Sequence, residues 1–129
     1  TNNNTLDTHF DDYLTTAEGK SLPVPHCIKG TVGHKLYGGL ADALKGKLCF
    51  EKNTFPSLEM AKYLEGKDFD TIELCGLVSN ICVLSNAVMA KSACPNSEII
   101  VDSSLTAAAD EEIHQKSLDV MKGLFIKVL

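Results

Sequence analysis

Apolar positions in the chain alternate between two spacings from residue 47 onward. Apolar-rich runs that are typical of buried strands occupy residues 47–52, 69–76, 97–104 and 124–129. Apolar residues at helical spacing occupy the segments between them, residues 56–66, 79–94 and 110–123. Because strands and helices alternate, the pattern predicts an α/β fold of three layers, α/β/α, in which helices cover a parallel sheet.

The first third of the chain lacks this regularity. Residues 1–35 are rich in Gly, Pro, Thr and Asp and are predicted to form a long loop, which in a small domain is usually functional or disordered. A short helix is predicted from His34 to Leu44, ended by Gly46. With 129 residues and 44% hydrophobic residues, the sequence predicts one domain over residues 1–129.

Charge and cysteine content narrow the possible partners. The formal net charge is −5, and all 12 basic residues are dispersed lysines, so nucleic acid is not an expected partner. Without arginine, the chain lacks the bidentate fork for carboxylates and phosphates, which favours a neutral substrate. Five cysteines without CxxC spacing, and no apolar run of membrane-spanning length, indicate a cytoplasmic protein with reduced thiols and no membrane association.

Cys82 is the first candidate for chemistry. It follows the predicted strand "TIELC" after a glycine-containing turn, and it lies in the first turn of the next predicted helix, which Ser79 or Asn80 can cap. Backbone N–H groups and the helix dipole at such a position favour a thiolate and can bind an oxyanion. Position alone leaves a nucleophile and a small buried core residue as equal alternatives.

Lys52 is the second candidate, because it ends a predicted strand, where a cation can lower the pKa of a neighbouring thiol. The alternative is an ordinary solvated lysine.

The other four cysteines lack the context of Cys82 and are predicted to be non-catalytic. They lie in strands, in the loop or at a helix end: Cys49, Cys75, Cys27 and Cys94.

Asp7, His9 and His26 are candidate metal ligands. Two ligands separated by one residue in an extended loop, with a second histidine further along, can form a three-ligand site with positions open to water. Two histidines and a carboxylate suit zinc, iron or manganese, but ordinary loop residues remain the alternative. His34 and His114, on predicted helices, are assigned structural roles.

Three motifs together resemble the cysteine hydrolases of the isochorismatase-like superfamily. "CGLVSNICV" resembles the nucleophile motif of that superfamily. "DTHFDDY" followed by "LPVPHCIKGTVGHKL" looks like the metal-binding part of nicotinamidases, and "FEKNTFPS" is similar to the strand with the catalytic lysine. The motifs occur in the order of the family and cover nearly the whole chain, which is therefore identified as a nicotinamidase-type member.

The resemblance implies a role for each candidate. Cys82 would be the nucleophile, Lys52 the lysine of the catalytic triad, and Asp7, His9 and His26 the ligands of a divalent metal, zinc or alternatively iron or manganese. The implied reaction is deamination of nicotinamide, or of a similar small carboxamide, through a cysteine thioester, as in NAD salvage. Family members commonly assemble into dimers or larger oligomers, so a homo-oligomer is also implied.

The resemblance also predicts a backbone feature before the nucleophile. A cis peptide bond would join Leu77 to Val78, and the backbone N–H groups of Val78 and Cys82 would form the oxyanion hole.

Two departures from the family pattern keep other functions open. The triad aspartate of the family lies on a strand well ahead of the Asp-x-His motif, whereas this chain begins six residues ahead of Asp7, which indicates an N-terminally incomplete domain. The tryptophan that stacks on the pyridine ring has no counterpart, since Pro23 occupies that region. The alternatives are a cysteine hydrolase for another small amide or carbamoyl compound, and a catalytically silent relative that binds a ligand.

Overall fold

The computed structural model describes every residue from Thr1 to Leu129. The strands are β1 (Asn4–Asp7), β2 (Cys49–Lys52), β3 (Thr71–Leu77), β4 (Glu98–Ala107) and β5 (Lys127–Val128). The α-helices are α1 (Ala17–Ser21), α2 (Leu40–Ala43), α3 (Leu58–Leu64), α4 (Leu84–Ala93) and α5 (Glu111–Gly123). Short 3₁₀ turns lie at Tyr13–Thr15 and Val32–His34, and a π-helical turn lies at Ser79–Val83.

All strand pairs are parallel, which confirms the predicted α/β class. β1 pairs with β2, whereas β3, β4 and β5 form a three-stranded sheet in that order. The pairing of β3 with β4 shifts register between Leu74 and Gly76. The chain divides into two compact units, Thr1–Ser57 and Leu58–Leu129. The expectation of one domain over residues 1–129 stays a prediction.

The hydrophobic core of the second unit forms where β4 meets the helices α4 and α5. Inward side chains of β4 alternate with outward ones, as the two-residue period of a strand requires, and Ile99 and Val101 are fully buried. Met121 of α5 and Ala87 of α4 are equally inaccessible. Burial of each large apolar side chain contributes about 1.5–3 kcal/mol, so this packing stabilises the unit. None of the helices has the length and apolar character needed to cross a membrane.

The prediction that residues 1–35 form a loop is wrong in two places. β1 is a strand, although its sequence "NTLD" shows no apolar alternation, because its backbone pairs with β2 over all four residues. The helix α1 forms because Thr16 caps it, accepting a hydrogen bond from the Gly19 N–H at 3.0 Å.

Several other element boundaries differ from those predicted. The helix expected from His34 to Leu44 is reduced to α2, because Gly38 takes a positive φ of 56° that a helix cannot continue through. β4 extends to Ala107, three residues beyond the predicted strand, and pairs there with the end of β3. β5 is shorter than expected and comprises two residues.

Candidate active site

The ends of β1 and β2 bring Asp7 and Lys52 side by side. The parallel register pairs Asp7 directly with Lys52, so both side chains leave the sheet at its carboxyl edge, where α/β proteins bind ligands. A backbone bridge between His9 and Ile28 then ties the later loop to the end of β1. The His9 N–H donates to the Cys27 carbonyl at 3.0 Å, and the Lys29 N–H donates to the His9 carbonyl at 2.8 Å.

This bridge brings together the three predicted metal ligands. The ligand atoms of Asp7, His9 and His26 all lie within 4.8 Å of one another. Asp7 Oδ2 is 3.3 Å from His9 Nε2 and 3.4 Å from His26 Nε2. His9 is buried, and the other two residues are partly exposed. The spacing of the atoms is compatible with a single cation held between them.

Glu18 is a fourth member of this cluster and was not predicted from the sequence. Its Oε1 lies 3.3 Å from His9 Nε2 and 3.7 Å from His26 Nε2, and its side chain is 13% exposed. The prediction of a loop over this segment hid it, because Glu18 reaches the histidines from the first turn of α1. The signal in the sequence was Thr16, a helix-capping residue followed by an acid in the first turn.

The hydrogen-bonding state of these side chains fits a bound divalent metal. His9 Nε2 and both carboxylate oxygens of Glu18 are buried without a hydrogen-bond partner, an arrangement that costs free energy unless a cation compensates it. His26 Nδ1 lies 2.7 Å from the Val24 carbonyl. Because a carbonyl only accepts, Nδ1 carries the proton and a neutral His26 keeps its Nε2 lone pair for a metal. Two imidazoles and two carboxylates suit zinc, iron or manganese.

Tyr13 packs against both histidines and holds their rings. Its ring centroid lies 4.7 Å from that of His9 and 5.1 Å from that of His26, both edge-on, and its hydroxyl donates to the Leu22 carbonyl at 2.9 Å. Burial raises the pKa of Tyr13, and the negative charges of Glu18 and Asp7 raise it further. The phenol therefore remains a neutral donor to the Leu22 carbonyl, while its ring packs against the two imidazoles.

Lys52 is buried and not solvated. Its side chain is 5% exposed, its Nζ lies 3.5 Å from Asp7 Oδ1, and it donates to the Thr54 carbonyl at 3.2 Å. The alternative of an ordinary surface lysine therefore does not apply. Beside these groups, a cavity of about 310 Å³ is lined by His9, Glu18 and Asn53 among others, a size at the lower end of ligand pockets.

In the second unit, Cys82 lies in the π-helical turn between β3 and α4. The prediction that Cys82 lies in the first turn of an α-helix is wrong, because the regular helix begins only at Leu84. Such turns have wider hydrogen-bonded loops and are frequent at functional sites. Within the turn, the Val78 carbonyl accepts hydrogen bonds from the N–H groups of Ile81, at 3.2 Å, and Val83, at 3.1 Å. The Cys82 side chain is half-buried.

The peptide bond between Leu77 and Val78 is cis, which confirms that prediction. The predicted helix cap is wrong, because no side chain caps this turn and Val78 occupies the capping position. The Ser79 hydroxyl instead lies between Thr106 and His114 inside the unit.

The other cysteines occupy the kinds of position predicted for them. Cys49 and Cys75 lie on strands and are exposed, and Cys27 lies in the loop that follows His26. Cys94, at the end of α4, is buried and its thiol donates to the Leu64 carbonyl at 3.3 Å. Buried thiols of this kind act as small apolar residues.

Comparison with known proteins agrees with this architecture. A model of the isochorismatase domain matches residues 3–129. The chain is similar to the pyrazinamidase/nicotinamidase of Streptococcus mutans UA159, with 28% identity, a TM-score of 0.84, and coverage of 98% of this chain and 74% of that one. The nicotinamidase of Bacillus subtilis gives 26% identity and a TM-score of 0.81, with 98% and 72% covered.

A more distant structure shares the fold. The pyrazinamidase of Pyrococcus horikoshii, solved in complex with zinc, is 22% identical with a TM-score of 0.79, and 98% of this chain and 73% of that one are covered. No curated protein sequence matches the chain. The isochorismatase-like α/β fold predicted from the sequence is confirmed. With a family match that spans nearly all of its residues, the chain belongs to the isochorismatase domain family of hydrolases.

Proposed function

We propose that the protein is a metal-dependent amidohydrolase that deaminates nicotinamide, or a similar small carboxamide, to the acid and ammonia. One observation carries this proposal: Asp7, His9 and His26 form a cluster that can hold a cation, and the Asp7 carboxylate also pairs with the buried Lys52. The similarity to two nicotinamidases above 25% identity supports the choice of substrate class.

Asp7, His9, His26 and Glu18 would hold the metal in the first unit. The two histidines enter as neutral ligands, and the two carboxylates offset the charge of a divalent ion. When bound, the metal would act as a Lewis acid that anchors a ring nitrogen of the substrate or orients water. Tyr13 would keep both imidazole rings in place by edge-on packing on each of them.

Cys82 would be the nucleophile of the reaction. Its thiolate attacks the carboxamide carbon and forms a carbon–sulfur bond, while the carbonyl oxygen takes the negative charge. The backbone N–H groups of Val78 and Cys82 would donate hydrogen bonds to that oxyanion. The amide nitrogen takes up a proton from solvent, which balances the proton that the Cys82 thiol released on forming the thiolate, and the C–N bond breaks as ammonia leaves. Water attacks the thioester, releases the acid and restores the thiol.

Lys52 would supply the fixed positive charge of the catalytic triad. An ammonium favours the thiolate over the thiol of a cysteine with which it acts, and it stabilises negative charge that develops in the transition state. The carbonyl of Thr54 and the carboxylate of Asp7 hold this ammonium in one orientation.

The aromatic content favours a second candidate substrate. The chain contains no tryptophan, so it lacks the side chain that would stack on the pyridine ring in the family pattern. Another small amide or a carbamoyl compound would need no such stacking.

We also propose a neutral substrate, a cytoplasmic location and assembly as a homo-oligomer.

The test is a measurement of ammonia and acid released from nicotinamide by the full-length protein after metal removal and after reloading with zinc, iron or manganese. Pyrazinamide and a small aliphatic amide serve as comparison substrates. The proposal expects activity that depends on the added metal and is lost in His9→Ala. Release from the aliphatic amide alone would favour the second candidate, and no release from any amide with a loaded metal would overturn the proposal.

A further inference from the structure

We propose that His114 is a positioning residue for the turn that carries Cys82, acting through Ser79. This inference rests on the proposed function, because it concerns the same nucleophile. His114 lies on α5, 32 residues after Cys82, and its position on a predicted helix indicated only a structural role.

The contact is a buried chain of three polar side chains. Ser79 Oγ lies 2.7 Å from His114 Nδ1 and 3.0 Å from Thr106 Oγ1. Ser79 is 0% exposed, Thr106 8% and His114 9%. A buried hydroxyl must satisfy its hydrogen bonds within the protein, so these two partners determine where the Ser79 side chain lies.

Ser79 lies at the start of the turn that contains Cys82, so its position affects the backbone of that turn. It directly follows the residues of the cis peptide bond, Leu77 and Val78, and it is the first residue of the π-helical turn that contains Cys82. Fixing the Ser79 side chain therefore fixes the start of the backbone that presents both the Val78 N–H and the Cys82 thiol.

The two anchors belong to regular elements outside the turn. Thr106 lies on β4, where it pairs with Gly76 of β3. His114 lies in α5, which begins at a side-chain cap: the Ile113 N–H donates to Asp110 Oδ1 at 2.9 Å. A site supported by packed strands and helices is held more exactly in place than one supported by loops alone.

The geometry tells which substitution can replace His114. Nδ1 is the ring atom that contacts Ser79, and the chain of hydrogen bonds can run in either direction according to the tautomer. Asparagine carries its amide close to the position of Nδ1 and can present either a donor or an acceptor there. Glutamine carries its amide further out, near the position of Nε2. If volume mattered instead, the larger glutamine would be the better substitute.

The experiment compares His114→Asn with His114→Gln in the full-length protein. The readout is the rate at which iodoacetamide modifies Cys82 in the native protein, followed by mass spectrometry of its peptide, alongside kcat and KM for the best amide. We expect wild-type labelling in His114→Asn and a loss of about tenfold or more in His114→Gln, with kcat lowered and KM little changed, because small misplacements of reacting groups cost large factors.

Labelling of Cys82 needs no substrate, so it separates this proposal from the proposed function. If no amide reacts but Cys82 is still labelled faster in His114→Asn than in His114→Gln, only the proposed function is overturned. Labelling that is equal in the two variants, or slower in His114→Asn, would overturn the positioning role. Should His114→Gln fail to fold by circular dichroism, His114→Leu replaces it, because leucine has nearly the shape of asparagine and no polar atom for Ser79. Slower labelling of Cys82 in His114→Leu than in His114→Asn supports the proposal, and equal labelling overturns it.

Discussion

The Asp7 carboxylate faces Lys52 on one side and the two histidines of the proposed metal site on the other. Lys52 Nζ lies 3.5 Å from Asp7 Oδ1, while the other oxygen, Oδ2, faces His9 and His26. The parallel register of β1 and β2 creates this arrangement, because it pairs the two residues directly. A single carboxylate thus orients both the proposed catalytic ammonium and the proposed metal ligands.

Lys52→Met is expected to abolish most turnover without loss of metal. Methionine keeps the buried stem but removes the charge, and the loss of electrostatic stabilisation should lower kcat by about 10²- to 10³-fold. Metal content, measured by atomic emission, should match that of the wild type, because Lys52 is not a ligand. Loss of metal together with activity would instead assign Lys52 to the support of Asp7.

Glu18→Gln is expected to weaken metal binding by about tenfold or more, because it removes a buried negative charge beside two ligands. Competition with a chromophoric chelator measures the affinity for zinc. Glu59→Gln is the matched control, since Glu59 is exposed and contacts only the neighbouring Lys62 among the ion pairs of α3. Equal affinities in both variants would remove Glu18 from the metal site.

Gly19→Ala is expected to destabilise the protein by about 1–3 kcal/mol, because the added methyl group cannot be accommodated. A Cβ at this position would lie 1.9 Å from the Tyr13 carbonyl oxygen and 2.9 Å from Leu14 Cα. Gly123→Ala is the control, since a Cβ there meets no atom within 4 Å. Urea denaturation measures both variants, and a Gly19→Ala protein as stable as the control would contradict this packing.

Asp102 gives a prediction for pH dependence. The Ser104 hydroxyl and the Ser104 N–H, which donate to Asp102 Oδ1 at 2.7 and 2.8 Å, hold the pKa of Asp102 below its ordinary value. Its folded pKa lies below its unfolded pKa, so its contribution to stability is present above about pH 4 and is lost as pH falls through the folded pKa. In Ser104→Ala, the carboxyl pKa should rise when followed by NMR. An unchanged pKa would contradict this cause.

Patterns of residues with their own local signal were predictable from the sequence. α5 combines helical apolar spacing with acids in its first turn, and β4 carries a buried apolar run, so each was predicted close to its observed bounds. Both signals act within a few residues and are therefore visible in the chain itself.

Features that depend on tertiary pairing were not predictable in this way. β1 has no apolar alternation and becomes a strand only by pairing with β2. The paired residues Asp7 and Lys52 are 45 positions apart in the sequence. Glu18 joins the proposed metal ligands only because α1 folds back onto them. Likewise, Ser79 was expected to cap a helix, but the buried partners on β4 and α5 bind its hydroxyl instead. Long-range contacts decide all three cases.

The most direct measurement is ammonia release from nicotinamide by the wild type and by Cys82→Ala at equal metal content, with Cys49→Ala as control. Cys49 is exposed on β2 and has no proposed part in the chemistry. We predict release by the wild type and by Cys49→Ala, and none by Cys82→Ala. Ammonia release by Cys82→Ala at the wild-type rate would contradict catalysis through a cysteine thioester.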